Sequence, residues 1–417
     1  MIQKTVLENG VRLLSERLPQ AYSVTMGLWM EVGSRDEDPA LGGVSHFIEH
    51  MAFKGTSRRG PLDIAKEIDR LGGLANAFTS KENTCFHARA LAAHLPDLAD
   101  LLLDIFLHPV FDSQELERER RVILQEISCV EDTPDDLVHT LFSQNFWPAH
   151  PLGRPVLGTV ETVSGLDRGA ILNYLSSSYL PQALVVAAVG DLEHEKLLEM
   201  VAKPLEKLTA TKPCAARRPP QPAAGLHFKH RELEQAHIIL GAPAPSAIHP
   251  DRFTAAILNL ILGGNMSSRL FQEVRERRGL AYAVYSYLSS YSDSGMLGIY
   301  LGVPPARAAE AVRVVRQELS RLAATPISEQ ELAEAKDGLK GSILLAAENP
   351  ETRMSRLARN EYTFGRTIPF EEVLAKIEAV SLKDMSRLAG ELLEPAKLSA
   401  TVLGPVEGEN LAREIGW

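Results

Sequence analysis

The stretch Leu41-Gly-Gly-Val-Ser-His46-Phe-Ile-Glu49-His50-Met-Ala-Phe-Lys-Gly-Thr56 contains two histidines and a glutamate at spacings of three and four residues. In a helix, positions i, i+3 and i+4 lie on one face. Two neutral imidazoles one turn apart can bind a single metal ion, and the carboxylate of Glu49 then lies beside that ion. The stretch therefore predicts a helix that carries most of a metal site.

Composition and charge are typical of a globular protein of roughly two to three domains. The chain has 417 residues, of which 45% are hydrophobic and 24% are charged. Its formal net charge of −10 is opposite in sign to that expected of a general nucleic-acid binder. No apolar run approaches the roughly 20 residues that span a bilayer, and the start lacks a secretory signal. Three cysteines without a C-x-x-C pair suit a reducing compartment. We therefore expect a soluble, cytoplasmic protein that binds neither nucleic acid nor membrane.

The order of predicted elements in the first half recurs in the second half. The first half runs from strands through the metal-site helix, a second helix, two strands and several long helices to a buried strand at 184–190. The same order starts again at residue 237 and ends with a strand at 398–404. The second copy lacks His-x-x-Glu-His, so only the first copy can bind metal in this way.

A proline-rich segment at 211–225 has no periodicity and is long for a connection within one domain. It predicts a linker between a catalytic domain at 1–210 and a homologous domain at 226–417. The expected fold class is α+β, with each domain an antiparallel sheet packed with helices.

A catalytic zinc site typically has three protein ligands and one open position for water. The long charged helix predicted at 112–131 offers Glu126 as the third ligand and, two turns earlier on the same face, Glu119 as a support for a ligand imidazole. Other glutamates of this segment compete for the ligand role, namely Glu115, Glu117, Glu119 and Glu131. Glu49 is better suited to act as the general base on the metal-activated water.

Three stretches together resemble the active-site signature of the insulinase/pitrilysin/mitochondrial-processing-peptidase family, whose motif order is His-x-x-Glu-His. They are 42–56, 73–84 and 119–126, and the likeness runs through nearly the whole chain. The resemblance implies one zinc ion per chain, Glu49 as the catalytic base and Glu119 as the acid that supports catalysis. It assigns the metal to three ligands, His46, His50 and Glu126.

The resemblance also implies how a peptide is held. The segment Asn76-Ala77-Phe78-Thr79 resembles the family's edge strand, to which the substrate adds as an extra strand. The structural alternatives are a turn for Asn76 and core packing for Phe78.

A second substrate-binding element lies in the second half. The stretch at 270–282 resembles an arginine–tyrosine element, in which Arg275 and Tyr282 would grip the scissile peptide and stabilise its developing oxyanion. The alternative is a solvated basic helix end.

The chain most resembles the short bacterial-type members of the family, which dimerise to form a clam-like chamber of four domains. In long members, the arginine–tyrosine element and the zinc lie in the fourth and the first domain of one chain. The resemblance therefore implies a homodimer in which Arg275 and Tyr282 reach the zinc of the other subunit. A chamber and strand addition both exclude folded proteins, so the expected substrates are unfolded peptides or presequence-like extensions.

Three functions remain open at this point. The first is a zinc-dependent endopeptidase. The second is a non-catalytic assembly subunit like the inactive partners of processing peptidases, although such chains typically lose a motif residue and this chain keeps them all. The third is a structural or storage zinc protein. Structural sites usually fill the fourth position with cysteine or histidine, and no cysteine flanks the motif, which argues against this function. The same ligands could also hold manganese or cobalt.

Overall fold

The protein is described here from a computed structural model that covers residues 2–209 and 216–415. It is built from two mixed β-sheets and the helices that pack on them. The strands are β1 Ile2–Val6, β2 Arg12–Arg17, β3 Ser23–Met30, β4 Leu74–Thr79, β5 Thr84–Leu91, β6 Leu184–Gly190, β7 Gly225–His230, β8 Ala236–Pro243, β9 Ala283–Ser290, β10 Gly295–Val303 and β11 Ser399–Gly404. The helices are α1 Val44–Ala52, α2 Pro61–Arg70, α3 Leu95–Leu107, α4 Ser113–Asp132, α5 Pro134–Phe146, α6 Val160–Gly165, α7 Arg168–Ser178, α8 His194–Leu205, α9 Arg252–Gly263, α10 Ala308–Ala324, α11 Glu329–Ala346, α12 Pro350–Phe364, α13 Phe370–Glu378, α14 Leu382–Leu392 and α15 Gly408–Ile415.

The topology of the two sheets reproduces the predicted repeat. The first sheet has the strand order β1-β2-β6-β3-β5-β4, and the second has the order β7-β11-β8-β10-β9. Once β1 is set aside, the five strands of each sheet follow the same order when numbered along the chain. The α+β class and the homologous pair of domains are therefore confirmed.

The expectation of purely antiparallel sheets is wrong at one strand pair in each copy. Strand β2 pairs with β6 in parallel, and β7 pairs with β11 in parallel, while every other pair is antiparallel. A parallel pair needs a long crossover connection. Here most of the helices of each repeat lie between the two paired strands, so no local sequence signal marks the pairing.

The chain divides into two compact units, each of which takes one segment from the other half of the sequence. The first unit contains the described residues of Met1–Cys129, Arg154–Arg217 and Leu345–Thr367, and the remaining segments form the second unit. The unit changes after Arg217, within the predicted linker at 211–225. Residues 211–215 of that linker, with Cys214, lie outside the described residues, so the division at 1–210 and 226–417 stays a prediction.

The exchanged segments are helices that cover one face of each sheet. In the first unit, α12 packs Met354 and Leu357 against Leu14, Trp29 and Val185 of the sheet. In the second unit, α5 packs its apolar side chains against the second sheet in the corresponding way. The sequence pattern predicted no helix or strand in residues 348–397, the range that contains α12.

The opposite face of the first sheet carries the larger core and the helix of the metal motif. Because side chains alternate along a strand, Leu13 and Leu28 face this core while their neighbours face α12. Helix α1 buries Phe47, Ile48 and Met51 in the same core and contacts β4 and β5. The polar side of α1 is thereby placed beside β4, at the edge of the sheet.

Within residues 2–209 and 216–415, no helix combines the length and the apolar character needed for a membrane span. The compartment stays a prediction.

Candidate metal centre and active site

The start of α1 is fixed by a buried carboxylate. The side chain of Glu37 accepts hydrogen bonds from the backbone N–H groups of Gly43, at 2.8 Å, and Ser45, at 2.9 Å. A carboxylate at this place satisfies N–H groups that the first turn leaves open and opposes the positive end of the helix dipole. Burial raises the pKa of Glu37 to about 7, against the lowering effect of these hydrogen bonds. Sequence reasoning missed Glu37, because only the turn at Gly42-Gly43 brings it back to the helix.

The glycine before α1 is required by its surroundings. Gly43 has a φ of +90°, and a Cβ atom placed there would lie 2.5 Å from the carbonyl oxygen of Leu157. A side chain would therefore push α1 away from the segment behind it, together with the metal motif.

His46, His50 and Glu126 come together in the first unit. Glu126 Oε2 on α4 lies 3.7 Å from His46 Nε2 and 3.6 Å from His50 Nε2 on α1. One potential ligand atom from each residue lies within 4.8 Å of the other two. Atoms about 2.1 Å from a tetrahedral zinc ion are about 3.4 Å from one another. The donor set and its spacing therefore fit a zinc ion with three protein ligands.

The two histidines are held in forms that can coordinate a metal. His46 is 9% exposed, and burial, followed by the nearby His50, lowers its pKa to about 4. Its imidazole is therefore neutral at neutral pH. His50 forms a 3.0 Å hydrogen bond through Nδ1 with Glu119 Oε2. With the proton on Nδ1, the lone pair is on Nε2, the nitrogen that lies 3.6 Å from Glu126 Oε2. This lone pair can bind a metal ion.

Glu119 also contacts a residue that the sequence analysis gave no role. Its Oε1 lies 2.7 Å from Lys54 Nζ, and its side chain is nearly fully buried. The ammonium group of Lys54 thus pairs with one oxygen of the carboxylate, and His50 contacts the other. Lys54 lies beyond the end of α1 at Ala52, so the helical spacing of the motif gives no signal for this contact.

Glu49 lies beside the ligands but contacts a different partner. Thr79 Oγ1 donates a 2.7 Å hydrogen bond to Glu49 Oε2. Burial raises the pKa of the Glu49 carboxyl, and the Thr79 hydrogen bond opposes this effect. The resemblance assigned Thr79 to substrate binding, and the structure gives its hydroxyl a contact with the carboxylate expected to act as the base.

The four residues expected to bind a peptide all lie on β4, which is at one edge of the first sheet and, among the described strands, pairs with β5 alone. Asn76 and Ala77 line a cavity of about 340 Å³ together with Glu49, His50 and Glu119. The ring of Phe78 lies on the other face of the sheet, against Trp29. The edge of β4 is therefore next to the metal centre.

Arg275 and Tyr282 belong to the second unit, where they contact each other. The guanidinium carbon of Arg275 lies 5.3 Å from the ring centroid of Tyr282 and 4.7 Å from that of Phe271. These are distances for cation–π contacts. Tyr282 is 80% exposed. The role of the pair in substrate binding stays a prediction.

Comparison with protein families gives two matches that together span most of the chain. Residues 12–160 match the insulinase model of peptidase family M16. Residues 165–339 match the model described as the M16 inactive domain. The metal motif lies in the first match, and Arg275 and Tyr282 lie in the second.

Several relatives are similar over nearly their whole length. An uncharacterized zinc protease of Streptomyces coelicolor is 40% identical over 99% of this chain and 91% of its own. The uncharacterized zinc protease YmxG of Bacillus subtilis is 39% identical over 94% of this chain and 96% of its own.

Two solved structures share the fold. A protease from Helicobacter pylori has a TM-score of 0.91 and 22% identity, covering 97% of this chain and 99% of its own. A chain of complex III2 from Candida albicans has a TM-score of 0.84 and 21% identity, covering 99% of both chains. At these identities the likeness establishes the fold alone, which occurs both in a protease and in a chain of complex III2.

Proposed function

This chain belongs to the M16, or insulinase, family of peptidases, and from that premise we propose that it is a zinc-dependent endopeptidase that cleaves unfolded peptides or presequence-like extensions. The observation that carries the proposal is the convergence of His46, His50 and Glu126 beside the carboxylate of Glu49. Three protein ligands are the number typical of catalytic zinc sites, in which water takes the remaining position, so these residues would hold a zinc ion suited to catalysis.

In the proposed reaction, His46, His50 and Glu126 hold the ion. When bound, zinc supplies Lewis-acid polarisation of a water molecule and of the scissile carbonyl group. Glu49 accepts a proton from the water and later donates it to the nitrogen of the leaving amine. Burial raises the pKa of the Glu49 carboxyl, which makes its carboxylate a stronger base towards the water.

Two further contacts position these groups. The Thr79 hydroxyl fixes one oxygen of Glu49, and the Glu119 carboxylate fixes the ring of His50. Groups of this kind contribute by holding a reacting side chain in one geometry. We therefore assign Glu119 and Thr79 to positioning.

The proposed substrate binds as an extended strand along β4. Strand β4 is at the end of the strand order, and pairing with a backbone gives affinity with little dependence on sequence. The N–H group of Ala77 donates to the side-chain oxygen of Asn76, at 2.9 Å, so a peptide that pairs there has to displace this side chain. A folded protein cannot present such a strand, which supports unfolded peptides as the substrate class.

The rival proposal, a non-catalytic assembly subunit, has less support. His46, His50 and Glu126 lie together with Glu49 beside them, and relatives that match over nearly their whole length carry the name uncharacterized zinc protease. A structural zinc protein would be expected to fill the fourth position with a cysteine or histidine. Among the described residues, the only candidate group of metal ligands has three members.

Removal and return of zinc is the direct test of the proposed activity. We expect purified protein to cleave a library of unstructured peptides, to lose this activity with a chelator, and to regain it with one equivalent of zinc. Mass spectrometry of the products is the measurement. Protein that binds one equivalent of zinc but cleaves no peptide in the library would contradict the endopeptidase proposal and favour a structural metal. Return of manganese or cobalt in place of zinc tests the metal preference.

We also propose a homodimer in which Arg275 and Tyr282 act on the metal centre of the other subunit. Co-expression of a His46→Ala chain with a Tyr282→Phe chain should restore part of the cleavage activity that each variant lacks alone, because one site of the mixed dimer keeps both elements. Co-expression of His46→Ala with Glu49→Gln is the matched control, since each metal centre then carries a lesion. No recovery in the first mixture would contradict action between subunits.

A further inference from the structure

A second cavity lies on the face of β4 opposite to the metal centre. We call it the reverse-face pocket, and it has a volume of about 280 Å³. Among its lining residues are Trp29, Phe78 and His87 from the sheet and Glu351, Met354 and Arg359 from α12. All of these residues belong to the first unit. The same edge strand is thus flanked by the cavity of the metal centre on one face and by the reverse-face pocket on the other.

The side chains of β4 divide between the two cavities. Thr79 contacts Glu49 on the metal side, and Ala77 lines the cavity there. Phe78, between them in sequence, contacts Trp29 with ring centroids 5.4 Å apart and His87 at 6.1 Å, both edge to face. The ring of Phe78 remains 39% exposed. An aromatic ring is therefore presented beside the open edge of the sheet.

A peptide paired with β4 would follow the same alternation. Successive side chains of a strand point to opposite faces of the sheet. If one residue of the peptide faces the metal centre, its neighbour in sequence must face the side on which the reverse-face pocket lies. The position of this second side chain follows from strand pairing, whatever the chemistry of the first.

The lining of the reverse-face pocket favours an uncharged aromatic side chain. Its walls include the rings of Trp29 and Phe78 and the thioether of Met354, with which a further ring can form edge-to-face and sulfur contacts. The rest of the lining is polar, with the uncharged side chains of Asn349, Thr352 and Ser355 beside the charged ones, so a tyrosine hydroxyl or an indole N–H would also find partners there. Glu351 and Arg359 carry opposite formal charges, and Glu351 Oε1 lies 3.3 Å from His87 Nδ1, so no charged group of one sign dominates the lining. The indole nitrogen of Trp29 is buried and has no hydrogen-bond partner in the described part of the chain.

We propose that the reverse-face pocket is a specificity subsite that takes the side chain of a phenylalanine, tyrosine or tryptophan next in sequence to the peptide residue facing the metal centre. This inference rests on the proposed binding of the substrate along β4. The proposed preference for an aromatic residue is separate from the metal motif. The residues of α12 that line the pocket lie more than 200 residues from that motif in the sequence.

The test measures peptide binding in a background that does not cleave. Chains carrying Glu49→Gln are titrated with a fluorescent, unstructured peptide in which a single phenylalanine is moved through an otherwise alanine- and serine-based sequence. We expect about tenfold tighter binding when phenylalanine replaces alanine at the preferred position, the lower end of the range for filling an apolar pocket. Addition of Thr352→Phe, which fills the pocket from α12, should abolish this difference.

The matched control is Thr363→Phe, the same change on the same helix at a residue that does not line the pocket. It should leave the preference for phenylalanine unchanged, and thermal unfolding of both variants checks that they fold. An unaltered preference in the Thr352→Phe variant, a preference for lysine instead of phenylalanine, or equal binding of all peptides would each overturn the subsite.

Failure of the subsite and failure of the proposed activity give different results. Cleavage by the chain that keeps Glu49, without any aromatic preference sensitive to Thr352→Phe, overturns the subsite and leaves the endopeptidase standing. A preference abolished by Thr352→Phe in a protein that cleaves no peptide leaves the subsite standing and overturns the endopeptidase.

Discussion

Substitution of Glu49 by glutamine should lower kcat for peptide cleavage by about 10²–10⁴-fold, the usual contribution of a general acid–base group. The amide has nearly the shape of the carboxylate and can still accept the hydrogen bond from Thr79. It cannot take the proton from water at neutral pH. Zinc content should be unchanged, since the three proposed ligands are His46, His50 and Glu126.

Steady-state kinetics and metal analysis of the same preparation separate these two effects. Glu117→Gln is the matched control, because Glu117 is an exposed residue of α4 whose carboxylate pairs with Arg120. This control should have wild-type kcat and zinc content. A Glu49→Gln protein that cleaves peptides at the wild-type rate would remove Glu49 from the mechanism, and one that has lost its zinc would make it a metal ligand.

Substitution of Glu126 by glutamine should produce the largest loss of zinc affinity among the acidic residues of α4. The change replaces an anionic ligand by a neutral amide 3.6–3.7 Å from the two imidazole nitrogens. Glu119→Gln should weaken zinc binding by only about 10–100-fold, because this residue orients His50 and does not bind the metal. The affinity should therefore fall in the order wild type, Glu119→Gln and Glu126→Gln.

Competition with a chromogenic zinc chelator gives the three affinities on one scale, with Glu117→Gln again as the control. Equal affinities for the Glu126→Gln variant and the control would mean that another residue supplies the third ligand. A larger effect at Glu119 than at Glu126 would exchange the two roles. The other glutamates that competed in the sequence, such as Glu115 and Glu131, are tested by the same assay.

Much of the first unit followed from local patterns in the sequence. The helix of the metal motif, the charged helix that carries Glu126 and the apolar strand at 184–190 all lie where periodicity and composition predicted them. In each case the signal is contained within one element. The repeat could be predicted for the same reason, because the order of such elements survives when residue identities diverge.

Features that depend on distant segments could not be predicted. The parallel pairing of β2 with β6 joins strands separated by most of the first repeat. Glu37 reaches the start of α1 only through the fold of the loop between them, and Lys54, which follows α1, meets Glu119 on α4. The contact of Thr79 with Glu49 likewise requires β4 to lie beside α1. None of these contacts leaves a periodic signal in the sequence.

The packing of α12 on the first sheet also sets an order for folding during synthesis. In chain order, the first sheet is complete when β6 ends at Gly190. The helix that covers the face opposite to the larger core, α12, begins only at Pro350. Translation of the intervening segment, about 160 residues, takes on the order of 10–30 seconds at about 5–20 residues per second. Throughout that interval the apolar face that contains Leu14, Trp29 and Val185 has no covering helix. A nascent chain with such a face exposed is a substrate for chaperones, and its first domain cannot be completed until most of the second has left the ribosome.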